Sequence, residues 1–291
     1  MSRYLILGGS GTLGNEMIKQ LLANPETELV RCLSRDELKL SELARRYKDE
    51  RLETVIGDVR DKSSICPHFY DISTVFHFCA LKRVPEMEAQ PIESLKTNVL
   101  GTINSAECAL ENGVDHFIFS STDKAARPIN AYGACKFLSE KILFSYNQRK
   151  LTNFSVYRWT NIINSRGAVS YAFKDAIEND MPAYITHPDM SRGWIRIEDA
   201  VKFVLSTYES QSNEVKIPYL KGAKVLDMLN AIGTVMGKEP KYVVTGLRGA
   251  EKLSEDILYD ADTGFCSSTN TIEQYTQDEL ISLAKEIVGS P

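Results

Sequence analysis

The chain has 291 residues, 43% of them hydrophobic and 25% charged, which excludes disorder and collagen-like repetition and suffices for a large core or two domains. Its 34 basic and 39 acidic residues leave a net charge of −5. No basic block follows the pattern that tracks a phosphate backbone, so no nucleic acid partner is expected.

The first strand is predicted at Arg3 to Leu7, running directly into glycines. It lacks the long apolar region and small-residue cleavage site of a signal peptide. Further strands are predicted at Glu28 to Leu33, Leu52 to Ile56, Thr74 to Cys79, His116 to Ser120 and Phe154 to Arg158. Between them, helices are predicted at Thr12 to Ala23, Glu37 to Lys48, Ile92 to Asn112 and Tyr132 to Gln148. This alternation gives an α/β fold with a Rossmann-type doubly wound parallel sheet. The strand order 3-2-1-4-5-6 follows if the first strand carries a nucleotide loop. After about Asn161 the elements shorten: a helix near Val169 to Asn179, a strand near Gly193 to Ile197, helices from Glu198 and Val225, and one near Gln277 to Val288. The expected organisation is a dinucleotide-binding and catalytic domain over residues 1–160. A small interleaved C-terminal substrate lobe spans 161–291, with the substrate expected in a cleft between them. Apolar runs such as Thr74 to Leu81 are too short to cross a bilayer, so the protein is expected to be cytoplasmic and without membrane contact.

Gly8-Gly9-Ser10-Gly11-Thr12-Leu13-Gly14 follows the first strand and opens the first helix. Its glycines permit a tight turn and close backbone approach, so a pyrophosphate can rest on the helix N-terminus. At the end of the second strand stands Ser34-Arg35-Asp36, with Lys39 one turn later. Arg35 suits a bidentate clasp on a 2′-phosphate and Ser34 a supporting hydrogen bond, which favours NADP, with NAD as the alternative. The competing reading makes Arg35 a solvated residue at a helix start and Asp36 an N-cap. Asp58 and Val59 after the third strand suit the adenine edge, although Asp58 also suits capping of a helix near Asp61.

Tyr132 and Lys136 stand at i and i+4, on one helical face, just after a strand that ends Ser120-Ser121-Thr122. A nearby ammonium lowers a phenol's pKa, as a tyrosine needs in order to accept a hydroxyl proton while hydride leaves the carbon. With the glycine loop upstream, this pairing points to nicotinamide-dependent oxidation of an alcohol.

Ordered blocks sharpen that reading. They are His77 to Pro85, Lys96 to Gly101, Ser121 to Ala125, Pro128 to Lys136, Ser165-Arg166-Gly167 and Gly249 to Leu253. In them the chain resembles the extended branch of the short-chain dehydrogenase/reductase superfamily over nearly its whole length. Within that branch it resembles the inverting UDP-N-acetylglucosamine 4,6-dehydratases of pseudaminic acid biosynthesis. The resemblance implies Thr122, Asp123, Lys124, Tyr132 and Lys136 as catalytic residues. Tyr132 takes the C4 hydroxyl proton while hydride passes to NADP+, Lys124 removes the C5 proton, Asp123 protonates the leaving C6 hydroxyl, and C5 is reprotonated from the opposite face. Lysine at position 124, where retaining relatives carry glutamate, marks the inverting group. Lys124 serves as a base only when neutral; its bland reading is a surface lysine paired with Asp123.

The resemblance also implies Ala80, Lys82 and Asn98 on the cofactor side. Asn98 alternatively bonds a carbonyl of the preceding turn, and Lys82 is alternatively solvated. Lys82, Arg158, Asn161, Arg166, Gly167, Arg192, Arg248 and Glu251 are implied for the UDP-sugar, arginines meeting the diphosphate charge bidentately. Any one of these arginines reads equally as an ordinary surface ion pair. The six cysteines and four histidines lack metal-ligand spacing, so no metal is expected. His77 reads as a core or strand-end residue, and Trp159 and Trp194 as packing. The stripe Ile92, Leu95, Val99, Ile103, Ala106, with the helix after Tyr132, suits an intersubunit four-helix bundle in a homo-oligomer, while core packing explains part of it. The chain departs from the family in its shorter length, in Cys79 and Cys135, and in Ser254 where histidine is usual. Competing activities are a nucleotide-sugar 4-epimerase, a C5-retaining dehydratase and a non-catalytic NADP-sensing scaffold.

Overall fold

The run Tyr4-Leu5-Ile6-Leu7 is buried throughout, as expected of a strand inside a parallel sheet with helices on both faces. In the computed structural model, which describes residues 2–210, 213–259, 263 and 266–289, it forms β1 (Ser2–Leu7). There follow α1 (Thr12–Ala23), β2 (Thr27–Ser34), α2 (Glu37–Tyr47), β3 (Leu52–Ile56), the short α3 (Lys62–Ile65) and β4 (Thr74–His77). Next come α4 (Val84–Ala89), α5 (Pro91–Ser94), α6 (Gly101–Glu111), β5 (His116–Ser120), α7 (Ala131–Asn147) and β6 (Asn153–Tyr157). The strands lie parallel in the order β3-β2-β1-β4-β5-β6, as predicted. The order reverses between β1 and β4, which opens a crevice at their carboxyl ends. Beneath it, Leu5, Leu7, Phe69, Val75, Phe117, Phe119 and Phe154 pack in one buried cluster; a side chain of this kind contributes about 1.5–3 kcal/mol on full burial.

Near the crevice, two elements differ from the predicted ones. β4 ends at His77 rather than Cys79, because β1 turns away at Gly8, whose φ of +84° only glycine adopts without strain. The single helix predicted over Ile92 to Asn112 is broken into α5, a π-helical turn over Leu95–Leu100, and α6. The buried Asn98 side chain leaves the helix for the loop after β4, accepting from the Leu81 amide at 2.9 Å and donating to its carbonyl at 2.8 Å. Such insertions recur at functional sites. They also split the predicted stripe: Ile92 and Leu95 are 61% and 39% exposed while Val99 and Ala106 are buried. The helix α4 was not predicted; Pro85 in its first turn is a start signal.

The packing divides into two compact units. The first comprises the sheet and its helices to Arg158 and resumes over Val201–Ile217. Within it Lys216 extends the sheet edge, its amide donating to the Val156 carbonyl at 2.8 Å. The second comprises Trp159–Ala200 and the chain from Pro218 onward. It holds β7 (Asn161–Ile162), α8 (Val169–Glu178), β8 (Ala183–Ile185) and β9 (Ser191–Ile195). The boundary between the units falls inside α9 (Ile197–Thr207). After it come β10 (Lys221–Lys224), α10 (Val225–Met236), β11 (Tyr242–Val244), β12 (Asp256–Tyr259), β13 (Cys266–Ser268) and α11 (Gln277–Gly289). Its strands form three small sheets, β10-β9-β7, β11-β8 and β12-β13. They pack with α8, α10 and α11 through Phe173, Trp194, Leu229, Ile232 and Leu283. Trp159 and Trp194 are buried, as predicted for packing residues. Among the described residues no helix is long and apolar enough to cross a membrane.

The start of α7 is fixed by Asn130, whose side chain accepts from the Gly133 amide at 2.8 Å. Asn130→Ala is expected to cost about 1 kcal/mol of stability and to lower the melting temperature by about 2–4 °C. A thermal melt of the variant checks this, and an unchanged midpoint contradicts it.

Candidate active site

The glycine loop is shaped by what its side chains would strike. A Cβ on Gly9 would lie 2.4 Å from Cys32 Sγ, and one on Gly14 would lie 2.5 Å from Gly9 Cα. The start of α1 is thereby drawn against the end of β1. Gly11 caps α1 without a side-chain hydrogen bond, and the first turn carries no acidic residue. Ser10 Oγ lies 2.7 Å from Ser34 Oγ, tying the loop to the end of β2. This close-approaching loop, ending on a helix N-terminus without a carboxylate, fits the pyrophosphate of a dinucleotide.

Asp36 caps α2 by accepting from the Lys39 amide and also pairs with Lys39 Nζ. Its carboxylate therefore serves the helix. Arg35 is exposed beside it, its guanidinium 3.6 Å from Asp58. Partial burial works to raise the Asp58 carboxyl, yet hydrogen bonds from Arg60 and the charge of Arg35 hold it below its usual value. The helix after β3 is capped by Asp61, not Asp58. Thr12 and Leu13 lie in the first turn of α1, Val59 is buried, and Ala80 lies in the loop after β4. Lys82 is exposed on the loop whose backbone Asn98 holds. For Asn98 the structure gives a backbone clamp.

At the end of β5, Thr122 caps a single turn over Asp123–Ala125. Lys124 Nζ donates to Asp123 Oδ1 at 3.1 Å, and Thr122 Oγ1 donates to the same oxygen at 3.0 Å. Asp123 is 2% exposed, and its Oδ2 is buried with no hydrogen-bond partner. An unsatisfied buried carboxylate oxygen is costly. Tyr132, on α7, bonds the Thr122 side chain; burial pushes its phenol up to about 12, while Lys124 and Thr122 pull it down and Asp123 opposes them.

This corrects the predicted pairing. Lys124, rather than Lys136, is the cation that lowers Tyr132, and burial outweighs it. Lys136 Nζ is turned to the Ser120 carbonyl at 2.7 Å and lies 4.3 Å from the centre of the Phe119 ring. Burial brings its ammonium down to about 8, against the pull of Cys79, Glu140 and Cys135. His77 is fully buried, stacked on Phe119 at 5.7 Å and bonded through Nε2 to Thr102 Oγ1 at 3.1 Å. Burial, then Lys136, brings it down to about 3, so the neutral imidazole is favoured at ordinary pH.

Two of the predicted arginines have their guanidinium groups occupied inside the protein. Arg158 donates to Glu140 through Nε at 2.9 Å and Nη2 at 2.6 Å, both residues being buried. Arg192, in the second unit, donates to the carbonyls of Ser191, Leu253 and Lys252 at 2.7, 3.2 and 3.0 Å. Of the predicted set, Arg166 and Arg248 keep exposed side chains, also in the second unit. Arg166 precedes Gly167, a turn residue with φ of +74°. Arg248 is joined to Glu251 by amide contacts of 3.4 and 3.1 Å, and Asn161 lies in β7 opposite Trp194.

Gly133 brings α7 close to the Asp123–Ala125 turn: a Cβ there would lie 2.3 Å from the Lys124 carbonyl oxygen. Ser121 and Glu140 also lie beside this turn, the Ser121 hydroxyl donating to Glu140 Oε1. The recurrence of Tyr132, Lys136 and Glu140 on one helical face was the available signal for Glu140.

The sequence profile of the polysaccharide biosynthesis protein family matches residues 4–277. A UDP-N-acetylglucosamine 4,6-dehydratase (inverting) from Campylobacter jejuni is 38% identical over 264 residues, covering 89% of this chain and 78% of that protein. A UDP-glucose 4-epimerase from Rickettsia bellii is 33% identical over 261 residues, covering 87% of this chain and 76% of that protein. Among solved structures, Pen from Bacillus thuringiensis superposes with a TM-score of 0.91 at 24% identity, covering 98% of this chain and 97% of that one.

Proposed function

The chain belongs to the polysaccharide biosynthesis protein family, and from that premise we propose that it is an NADP-dependent, C5-inverting UDP-N-acetylglucosamine 4,6-dehydratase. The observation that carries this reading is the buried Asp123 carboxylate, paired on one oxygen with Lys124 and unpartnered on the other, on a turn bonded to Tyr132. A 4-epimerase needs a tyrosine and a dinucleotide; it does not need an acid and a base for eliminating water.

A dinucleotide held by the glycine loop and the end of β2 would supply the redox chemistry, accepting hydride from C4 of the hexose and giving it back at C6. The residues of the first unit do the rest. Tyr132, whose phenol stands at about 12 with Lys124 and Thr122 already pulling it down, takes the C4 hydroxyl proton once it is lowered further by the positive charge an oxidised nicotinamide would add. The resulting ketone acidifies C5–H, which is too weakly acidic beside an ordinary alcohol carbon. Transfer of a proton from Lys124 to Asp123 across their 3.1 Å contact makes a neutral amine and a carboxylic acid together. Lys124 then takes the C5 proton while Asp123 gives its proton to the departing C6 hydroxyl, and elimination leaves the ion pair. Protonation of C5 by a proton from water, on the face away from Lys124, inverts that centre. Lys136 holds the Ser120 carbonyl and is proposed to meet the dinucleotide. Arg166 and Arg248 are proposed to meet the diphosphate. Exposed Ile92, Leu95 and Leu138 support an intersubunit helical face.

The test is incubation with UDP-N-acetylglucosamine and mass spectrometry of the product. Loss of one water supports dehydration, whereas a product of unchanged mass favours the second reading, a 4-epimerase, which the Rickettsia relative's name recommends.

The preference for NADP over NAD is supported by the engaged carboxylate of Asp36 and the exposed guanidinium of Arg35. Arg35→Asp is expected to weaken NADP binding about 10-fold or more, a charge-assisted hydrogen bond contributing roughly 1.5–3 kcal/mol. NAD binding should change less. Calorimetric titration with both dinucleotides measures the ratio, and an unaltered ratio removes Arg35 from cofactor selection.

A further inference from the structure

One face of α7 engages, turn by turn, the residues at the end of β5. Tyr132 bonds the Thr122 side chain, Lys136 Nζ donates to the Ser120 carbonyl, and Glu140 Oε1 accepts from the Ser121 hydroxyl at 2.5 Å. Glu140 is gripped from its other side by Arg158, which follows β6, and the Ser121 amide donates to the Tyr157 carbonyl at 2.7 Å. The side chains of Glu140 and Arg158 are 2% and 7% exposed. A buried ion pair of this kind adds little net stability, because desolvation offsets the attraction. Its geometry is nonetheless tightly defined: one carboxylate joins α7 to the ends of two strands, at the residue immediately before Thr122-Asp123-Lys124.

We propose that Glu140 is a positioning residue for this site, holding Ser121, and through it the Thr122-Asp123-Lys124 turn, against α7 while Arg158 balances its charge. The inference rests on the reading that Tyr132 and this turn carry the reaction, and it holds for dehydration or epimerisation alike. It has an electrostatic consequence. The titratable groups that face Lys136 are His77 at the end of β4, Cys79 in the loop after it, and Cys135 and Glu140 on α7. Of these, Glu140 supplies the fixed negative charge that favours the ammonium.

Glu140→Gln alone leaves Arg158 as a buried, unpaired cation, which is strongly destabilising, so two gentler variants carry the test. Ser121→Ala is expected to lower kcat about 10-fold, since a misplacement of about 1 Å costs up to about 100-fold, with KM and the melting temperature nearly unchanged. Adding Glu140→Gln/Arg158→Gln to Ser121→Ala should lower kcat little further, because both act through one contact. In Glu140→Gln/Arg158→Gln itself, the Lys136 titration, followed by NMR of carbon-labelled lysine, should move to lower pH by about half a unit or more. Wild-type kcat in Ser121→Ala, or an unmoved Lys136 titration in the folded double variant, overturns the proposal. The NMR arm needs no substrate. Failure of the wild type to act on any UDP-hexose therefore sinks the dehydratase reading alone, and the titration still decides the role of Glu140.

Discussion

Lys124→Ala is expected to lower the rate of dehydration about 10²–10⁴-fold, the range contributed by a positioned general base. Lys124 is partly buried, 3.1 Å from Asp123, and its charge also bears on the Tyr132 phenol. Its removal takes away the C5 base and leaves Asp123 without the partner that charges it with a proton. Lys124 pairs with Asp123 on the turn after β5 and is not part of the glycine loop or of the ends of β2 and β3, so dinucleotide affinity should stay within about 2-fold of wild type. Oxidation at C4 should persist slowly, so a 4-keto sugar that still carries its C6 hydroxyl should be trappable by borohydride reduction in tritiated form. Wild-type turnover in this variant would remove Lys124 from the chemistry.

Tyr132→Phe is expected to lower turnover by at least as much, about 10²–10⁴-fold, and at an earlier step. The ring remains to fill its buried place on α7, while the hydroxyl that bonds Thr122 is lost. Without a group to take the C4 hydroxyl proton, no ketone forms and no keto sugar should be trapped. The two variants thus separate oxidation from elimination. Detection of the trapped keto sugar in Tyr132→Phe at the level seen with Lys124→Ala would contradict the assignment of Tyr132.

Much of the fold was legible because it rests on local pattern. The buried run Tyr4 to Leu7, the glycines after it and the alternation of strands and helices were enough to give the sheet order. What escaped depends on contacts distant in sequence. The π-helical turn at Leu95–Leu100 arises from the bonds of Asn98 to Leu81, which no periodicity reports. The spacing of Tyr132 and Lys136 correctly placed both on one face of α7. It could not tell that Lys136 reaches back to Ser120 and that the cation acting on Tyr132 is Lys124, from the turn after β5. Arg158 was read as a substrate arginine because its buried partner, Glu140, becomes its neighbour only when α7 packs on the sheet. Gly133 matters through the Lys124 carbonyl it admits, a steric fact visible only in three dimensions.

The central claim is that Asp123 and Lys124 carry out an inverting elimination on a 4-keto hexose. Its most direct test is NMR of the product formed from UDP-N-acetylglucosamine in deuterated water. The account predicts a 4-keto-6-deoxy sugar of L-arabino configuration with deuterium at C5. A D-xylo product, or a simple 4-epimer that keeps its C6 hydroxyl, would contradict it.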